Sequence, residues 1–263
     1  MECNNVAPCS THCEAGYPRD LPSSKGTGDP MKSGAVAIFV KTPGLSPVKT
    51  RLGRVIGSRA AEEFYALSVE ATHEVSAEAI RRASSASLDL TAYWAIAESA
   101  GTFHHMWHQF GNIFQGNGEL GERLSNVYGE LLDKHGFVLL IGADCPQMPW
   151  QYMIEAASFL RDGANRFVIG PAIDGGFCLF GGNAPLSEEL WTRVPYSQSD
   201  TAVELMQGIN ALGDIRELLP LVDIDTIDDL RYLAGKDRDN TGLLPAQLRV
   251  IEWCRSLSSH PSS

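Results

Sequence analysis

The chain has 263 residues, 44% of them hydrophobic and 20% charged, so it can bury a sizeable core and is not globally disordered. Its formal net charge of -11 argues against nucleic-acid backbones and anionic membranes as main partners. No stretch approaches the roughly 20 apolar residues of a membrane span, and the N-terminus lacks the basic and apolar regions of a secretory signal, so a cytoplasmic enzyme is expected.

Residues 1–32 are rich in Pro, Ser, Gly and Asn without apolar periodicity and are expected to form a disordered leader. Cys3, Cys9 and Cys13 fall in it, either as incidental thiols or as metal ligands. The apolar run Ala35 to Val40 predicts a buried first strand that opens directly into a basic loop containing Lys41, Thr42, Pro43, Lys49, Arg51 and Arg54. Against an acidic chain this local cluster suits phosphate oxygens, while the plainer reading is a solvated first helical turn. Residues 60–82 carry apolar positions at helical spacing, and residues 88–97 read as a second strand. Ile113 and Phe114 form a short third strand before a Gly-rich turn. Helices are expected over 120–134 and 150–161, around the clearest buried strand at 137–141.

Residues 167–170 and 177–180 then read as two strands joined by the Asp174-Gly175-Gly176 turn. A helix over 201–211 takes Ser199 or Asp200 as its cap, a strand covers 218–224, and a further helix starts at Thr226 in capping-box style. A domain over 33–253 and a flexible tail over 254–263 complete the division. Alternating strands and helices imply an α/β fold whose mostly parallel sheet is covered on both faces. Cys145, Cys178 and Cys254 lie in apolar contexts and are expected to be reduced core thiols.

In such sheets ligands bind outside the carboxyl ends of the strands, which singles out three acidic stations. Asp144 follows the strand 137–141 and is either a ligand for a hard cation or a turn carboxylate capping the next helix. Asp174 sits in an Asp-Gly turn, where a structural role competes with ligand approach to Gly175 and Gly176. Asp225 ends a strand and is the expected second metal ligand, while Asp228 and Asp229 favour a helix dipole. His104 and His108 share a helical spacing, which fits an exposed or partly packed helix end better than a transition-metal site. No dinucleotide glycine fingerprint or Walker loop is present.

Five stretches in this order, 41–53 (KTPGLSPVKTRLG), 115–124 (QGNGELGERL), 141–149 (IGADCPQMP), 169–181 (IGPAIDGGFCLFG) and 222–230 (VDIDTIDDL), resemble the DUF2064 family. These are glycosyltransferase-like proteins of the nucleotide-diphospho-sugar transferase (GT-A) superfamily. The resemblance runs from about Gly34 to Leu233 and implies a GT-A-like, Rossmann-like doubly wound sheet with helices on both faces. It also implies a nucleotide or nucleotide-sugar and a small-molecule acceptor as partners. By position, Lys41, Thr42, Pro43, Lys49 and Arg51 would hold nucleotide phosphates, and Gln115, Gly121 and Glu122 would lie near the base or ribose. Asp144 and Asp225 would bind Mg²⁺ or Mn²⁺. Asp174, Gly175 and Gly176 would shape the sugar or acceptor site, with Asp174 a candidate base. Phe177 and Cys178 stand where the family usually has Tyr and another residue.

Two reactions fit these residues. In glycosyl transfer from a nucleotide-diphospho-sugar, the ion, Lys49 and Arg51 would stabilise the departing diphosphate. In nucleotidyl transfer a phosphorylated molecule attacks a nucleoside triphosphate. The Lys-Thr-Arg-Leu loop is similar to that of phospholactate guanylyltransferase, but the Leu-Ala-Gly-Gly loop common in that class is missing. The family resemblance favours glycosyl transfer.

Overall fold

The computed structural model describes residues 33–236 and 242–258; the leader with Cys3, Cys9 and Cys13 lies outside them. Seven strands form one sheet in the order β3-β2-β1-β4-β6-β5-β7. They are β1 (Ser33–Val40), β2 (Asp89–Ile96), β3 (Gly111–Phe114), β4 (Phe137–Gly142), β5 (Arg166–Pro171), β6 (Phe177–Gly182) and β7 (Asp214–Glu217). All pairings are parallel except those of β6, which runs antiparallel to both β4 and β5. The antiparallel pair follows from the short turn through Asp174, since only a crossover could join parallel neighbours.

Period-2 alternation separates two cores. Val36, Ile38, Val40, Trp94, Leu139 and Ile141 face α2 (Ser58–Ala83) and α4 (Trp150–Arg161) on one side. Ala35, Ala37, Ala95, Val138, Leu140 and Phe180 face α3 (Leu120–Leu132), α5 (Glu188–Arg193) and α6 (Thr201–Ile209) on the other. A third cluster joins α1 (Thr50–Ile56) and α2 to α7 (Ile227–Ala234) and α8 (Pro245–Ser258). The expected α/β sheet covered on both faces is therefore what the chain forms.

Three sequence expectations shift. The strand expected over 218–224 is instead β7 at Asp214–Glu217, parallel to β5. Beyond it, the Leu218 and Leu221 amides still donate to the Ile169 and Pro171 carbonyls, but Pro220 has no N–H and regular pairing stops. The tail expected from residue 254 is helical to Ser258, with Cys254 buried. Finally, Asp200 sits at the α6 N-cap without capping through its side chain; the Thr201 hydroxyl accepts from the Gln198 amide and donates to the Pro195 carbonyl. Cys145, Cys178 and Cys254 are buried in the core, as expected.

Candidate active site

The carboxyl ends of β1 and β4 open onto a cavity of about 450 Å³. The basic loop leaves β1 and is tied down at once by Thr42. This side chain is fully buried; its amide donates to Glu98 Oε2 at 2.8 Å and its hydroxyl accepts from Trp107 Nε1 at 3.2 Å. The Tyr65 hydroxyl clamps the backbone of Lys41 from both sides, accepting from its amide at 2.8 Å and donating to its carbonyl at 2.9 Å. Lys49 then adopts a left-handed conformation (φ 44°, ψ 46°) at the start of α1. Its side chain, only 3% exposed, runs inward.

The Lys49 ammonium uses all three donors: to Asp144 Oδ1 at 2.6 Å, Asp225 Oδ1 at 2.9 Å and the Ile224 carbonyl at 2.6 Å, with Asp223 Oδ1 at 3.9 Å. Burial opposes this charge, but the Asp144, Asp223 and Asp225 carboxylates outweigh it and hold the amine above the ordinary lysine value. Arg51, two residues on, is 66% exposed with Nη1 3.6 Å from Asp225 Oδ2.

Asp144 and Asp225 come from segments about eighty residues apart, joined by the Ile224 amide donating to the Asp144 carbonyl at 3.0 Å. Asp144 does not cap the following helix, whose N-cap is Pro149. Asp225 is fixed by its own amide, which donates to Asp229 Oδ2 at 3.1 Å, and Asp229 also closes the Thr226 capping box of α7. The third carboxylate, Asp223, was not assigned from the sequence. Its signal was the spacing Asp223-Ile224-Asp225: in extended chain both acids take one side while Ile224, fully buried, takes the other. Asp223 is pushed up to about 8, first by burial and then by the neighbouring Asp144 charge. Its Oδ1 is buried without a hydrogen-bond partner.

Oxygen atoms of Asp144, Asp223 and Asp225 lie within 4.8 Å of one another. Three hard oxygen donors, one of them an orphaned buried atom, fit a Mg²⁺ or Mn²⁺ ion. Among the described residues this is the group that could hold a metal, and no histidine takes part in it. His104, half-buried, instead accepts from the Met106 amide at 3.3 Å and packs on the exposed His105, which agrees with an exposed or partly packed turn.

Arg51, Asp144, Asp174, Gly176 and Asp225 all line the cavity, with Phe177, Cys178, Tyr196 and the Ser197-Gln198-Ser199 loop on further walls. Asp174 Oδ1 also accepts from the Gly176 amide at 3.0 Å, so its structural and cavity roles coexist. Gly175 supports from behind: at φ +96°, its missing Cβ leaves room for the Ser199 carbonyl.

Seven other predicted contacts do not line the cavity: Lys41, Thr42, Pro43, Lys49, Gln115, Gly121 and Glu122. Gln115 is buried and its Nε2 bridges the Val40 and Ala95 carbonyls at 3.3 and 2.8 Å, joining β1 to β2. Gly121 packs against the Trp191 carbonyl of α5, and Glu122 accepts from the Glu119 amide in the capping box of α3. Their link to the cavity is indirect, through Leu120 and Leu124 of the same helix, which do line it.

Among solved structures, a candidate nucleotide-diphospho-sugar transferase from Desulfovibrio desulfuricans G20 is similar at TM-score 0.72 and 22% identity, over 86% of this chain and 97% of that one. A 4-diphosphocytidyl-2C-methyl-D-erythritol synthase from Anaerococcus prevotii DSM 20548 reaches TM-score 0.49 at 10% identity, over 76% and 94% of the two chains. Glucosyl-3-phosphoglycerate synthase from Mycobacterium tuberculosis, solved with Mn²⁺, UDP and glucosyl-3-phosphoglycerate, reaches 0.41 at 13%, over 88% and 82%. The first of these likenesses establishes the fold, as a likeness of fold alone. No curated protein matches the sequence. The family described as an uncharacterized protein conserved in bacteria, DUF2064, matches residues 77–198, which include Asp144 and Asp174 but neither the basic loop nor Asp225. Over those residues the DUF2064 resemblance read from the motifs is borne out.

Proposed function

We propose that the protein is a metal-dependent transferase that moves a sugar from a nucleotide-diphospho-sugar to a small acceptor. The observation that carries this reading is the convergence of Asp144, Asp223, Asp225 and Arg51 on a cavity of about 450 Å³, with Lys49 buried against the carboxylates. That volume is in the range of small-ligand sites. Four carboxylates line the cavity (Asp144, Asp174, Asp223 and Asp225), so an anionic diphosphate needs compensating cations to enter. A divalent ion bound by Asp144, Asp223 and Asp225 would supply charge to diphosphate oxygens.

Arg51 offers a planar, exposed fork for the same diphosphate. Asp174, which also lines the cavity, is the candidate to accept the acceptor's hydroxyl proton. Lys41, Thr42 and Pro43 serve by holding the loop that presents Lys49 and Arg51. Gln115, Gly121 and Glu122 serve by fixing β1 and the first turn of α3. The likeness in fold to a candidate nucleotide-diphospho-sugar transferase draws the choice toward glycosyl transfer.

The test is thermal melting with a panel of nucleotide-diphospho-sugars and nucleoside triphosphates, each with Mn²⁺ or EDTA, followed by product analysis. Saturation with a ligand specific to the native state at a hundred times its dissociation constant adds about 2.7 kcal/mol of stability. One nucleotide-diphospho-sugar should stabilise the protein only with Mn²⁺ and release its nucleoside diphosphate on turnover. Selection of a triphosphate with pyrophosphate release would replace this reading with nucleotidyl transfer.

A further inference from the structure

We infer that Lys49 occupies the cation position of the carboxylate cluster in the free protein and gives it up when a divalent ion and a diphosphate arrive together. The inference rests on the metal reading above and concerns how that site is loaded. The Nζ atom sits within 2.6–2.9 Å of Asp144 Oδ1, Asp225 Oδ1 and the Ile224 carbonyl, with Asp223 Oδ1 at 3.9 Å. Those carboxylates are the ones that would ligate the ion. Magnesium needs its oxygen ligands at about 2.0–2.1 Å, so the same oxygens cannot serve ion and ammonium without forcing two cations together.

An ion arriving alone must therefore expel an ammonium whose three N–H groups are satisfied and whose side chain is 3% exposed. The expelled charge then needs a new partner. A diphosphate on the ion provides one, and the flexible four-carbon stem allows the ammonium to move from carboxylate to phosphate oxygens. Arg51 remains outside the cluster, 66% exposed, and can receive the anion first. Ion and diphosphate thus favour each other's binding, and by linkage each raises the other's affinity by the same factor. The arrangement also pairs Asp144 and Asp225 with a cation, where otherwise their like charges would repel.

The experiment is calorimetric titration of the full chain with Mn²⁺ alone, comparing wild type with Lys49→Met. The variant should bind Mn²⁺ at least about ten-fold more tightly, within the usual span of coupling between sites. Equal affinity in the two proteins would overturn the inference while leaving the metal reading intact. Absence of Mn²⁺ binding in both would remove the metal reading and this inference with it. If Lys49→Met does not fold, the wild type labelled with ¹⁵N-lysine decides by NMR of its ammonium groups. The protected Lys49 resonance should persist with Mg²⁺ alone and shift when pyrophosphate is added with it. A resonance unmoved by both together, or displaced as readily by Mg²⁺ alone, would overturn the inference.

Discussion

Lys49 and Arg51 are two positions apart in one basic loop, yet one is buried among carboxylates and the other stands in solvent. The difference comes from the left-handed backbone at Lys49, which turns its side chain inward just before α1 begins. The sequence grouped both as phosphate cations because charge and spacing were all it offered. Arg51→Ala should weaken nucleotide affinity by about 1.5–3 kcal/mol, the scale of hydrogen bonds to charged groups. Its stability should be nearly unchanged, since an exposed pair at 3.6 Å contributes at most about 1 kcal/mol. Calorimetry and melting of the same variant check both halves, and unaltered affinity would remove Arg51 from the site. Asp144 and Asp225 were legible as carboxylates at expected strand ends. Asp223 was not, because its importance depends on Ile224 being drawn inward.

At the scale of elements, the break after β7 is what delivers the acidic segment. A strand continued through 218–224 would have kept Asp223 and Asp225 on the sheet edge beside β5. The missing donor at Pro220 interrupts the ladder, a single bridge between Leu221 and Ala172 follows, and the chain then crosses to the end of β4, where the Ile224 amide meets the Asp144 carbonyl. The far wall of the cavity depends on α3 lying close to α5. A Cβ on Gly121 would stand 2.6 Å from the Trp191 carbonyl, a backbone atom that cannot rotate away. Gly121→Ala should therefore force the helices apart and cost about 1–3 kcal/mol, the usual range for overpacking. Denaturant melts should show that loss; a variant as stable as wild type would mean that α5 shifts freely. The sequence showed a Gly-rich turn before α3, and the family resemblance set Gly121 near a nucleotide, but this glycine of the first turn of α3 packs against a helix 70 residues further on.

At the scale of the molecule, the cavity gathers Asp144, Asp174, Asp223 and Asp225, while β1 and β2 meet His135 beside the start of β1. There His135 sits between the Ser33 hydroxyl, 3.2 Å from Nδ1, and the Tyr93 hydroxyl, 3.1 Å from Nε2. Burial holds its imidazole below the ordinary histidine value of 6.5, against the pull of Asp89. The unfolded chain therefore takes up this proton more readily than the folded one. The group's stabilising contribution is complete above 6.5 and is lost as pH falls through that value and below. Relative to His135→Gln, the wild type should lose melting temperature between about pH 7.5 and pH 5.5. Parallel pH dependence of the two proteins would show that the ring is not desolvated. No described helix is long and apolar enough to cross a membrane.

The sequence by itself determined the α/β alternation, nearly every strand, the two-sided burial of the sheet, and the carboxylates at the ends of β4 and the acidic segment. Those properties are local, set by period, turn residues and strand length, and so can be read along one line of text. Tertiary structure decided which of the polar residues meet. It placed Lys49 against Asp225, 176 positions away, added Asp223 to the cluster, and gave Gln115, Gly121 and Glu122 contacts with the strands and helices around them. The reason is physical: a side chain's partner depends on backbone hydrogen bonds made by distant segments, here the Ile224 amide on the Asp144 carbonyl, and no spacing within a motif encodes that bond.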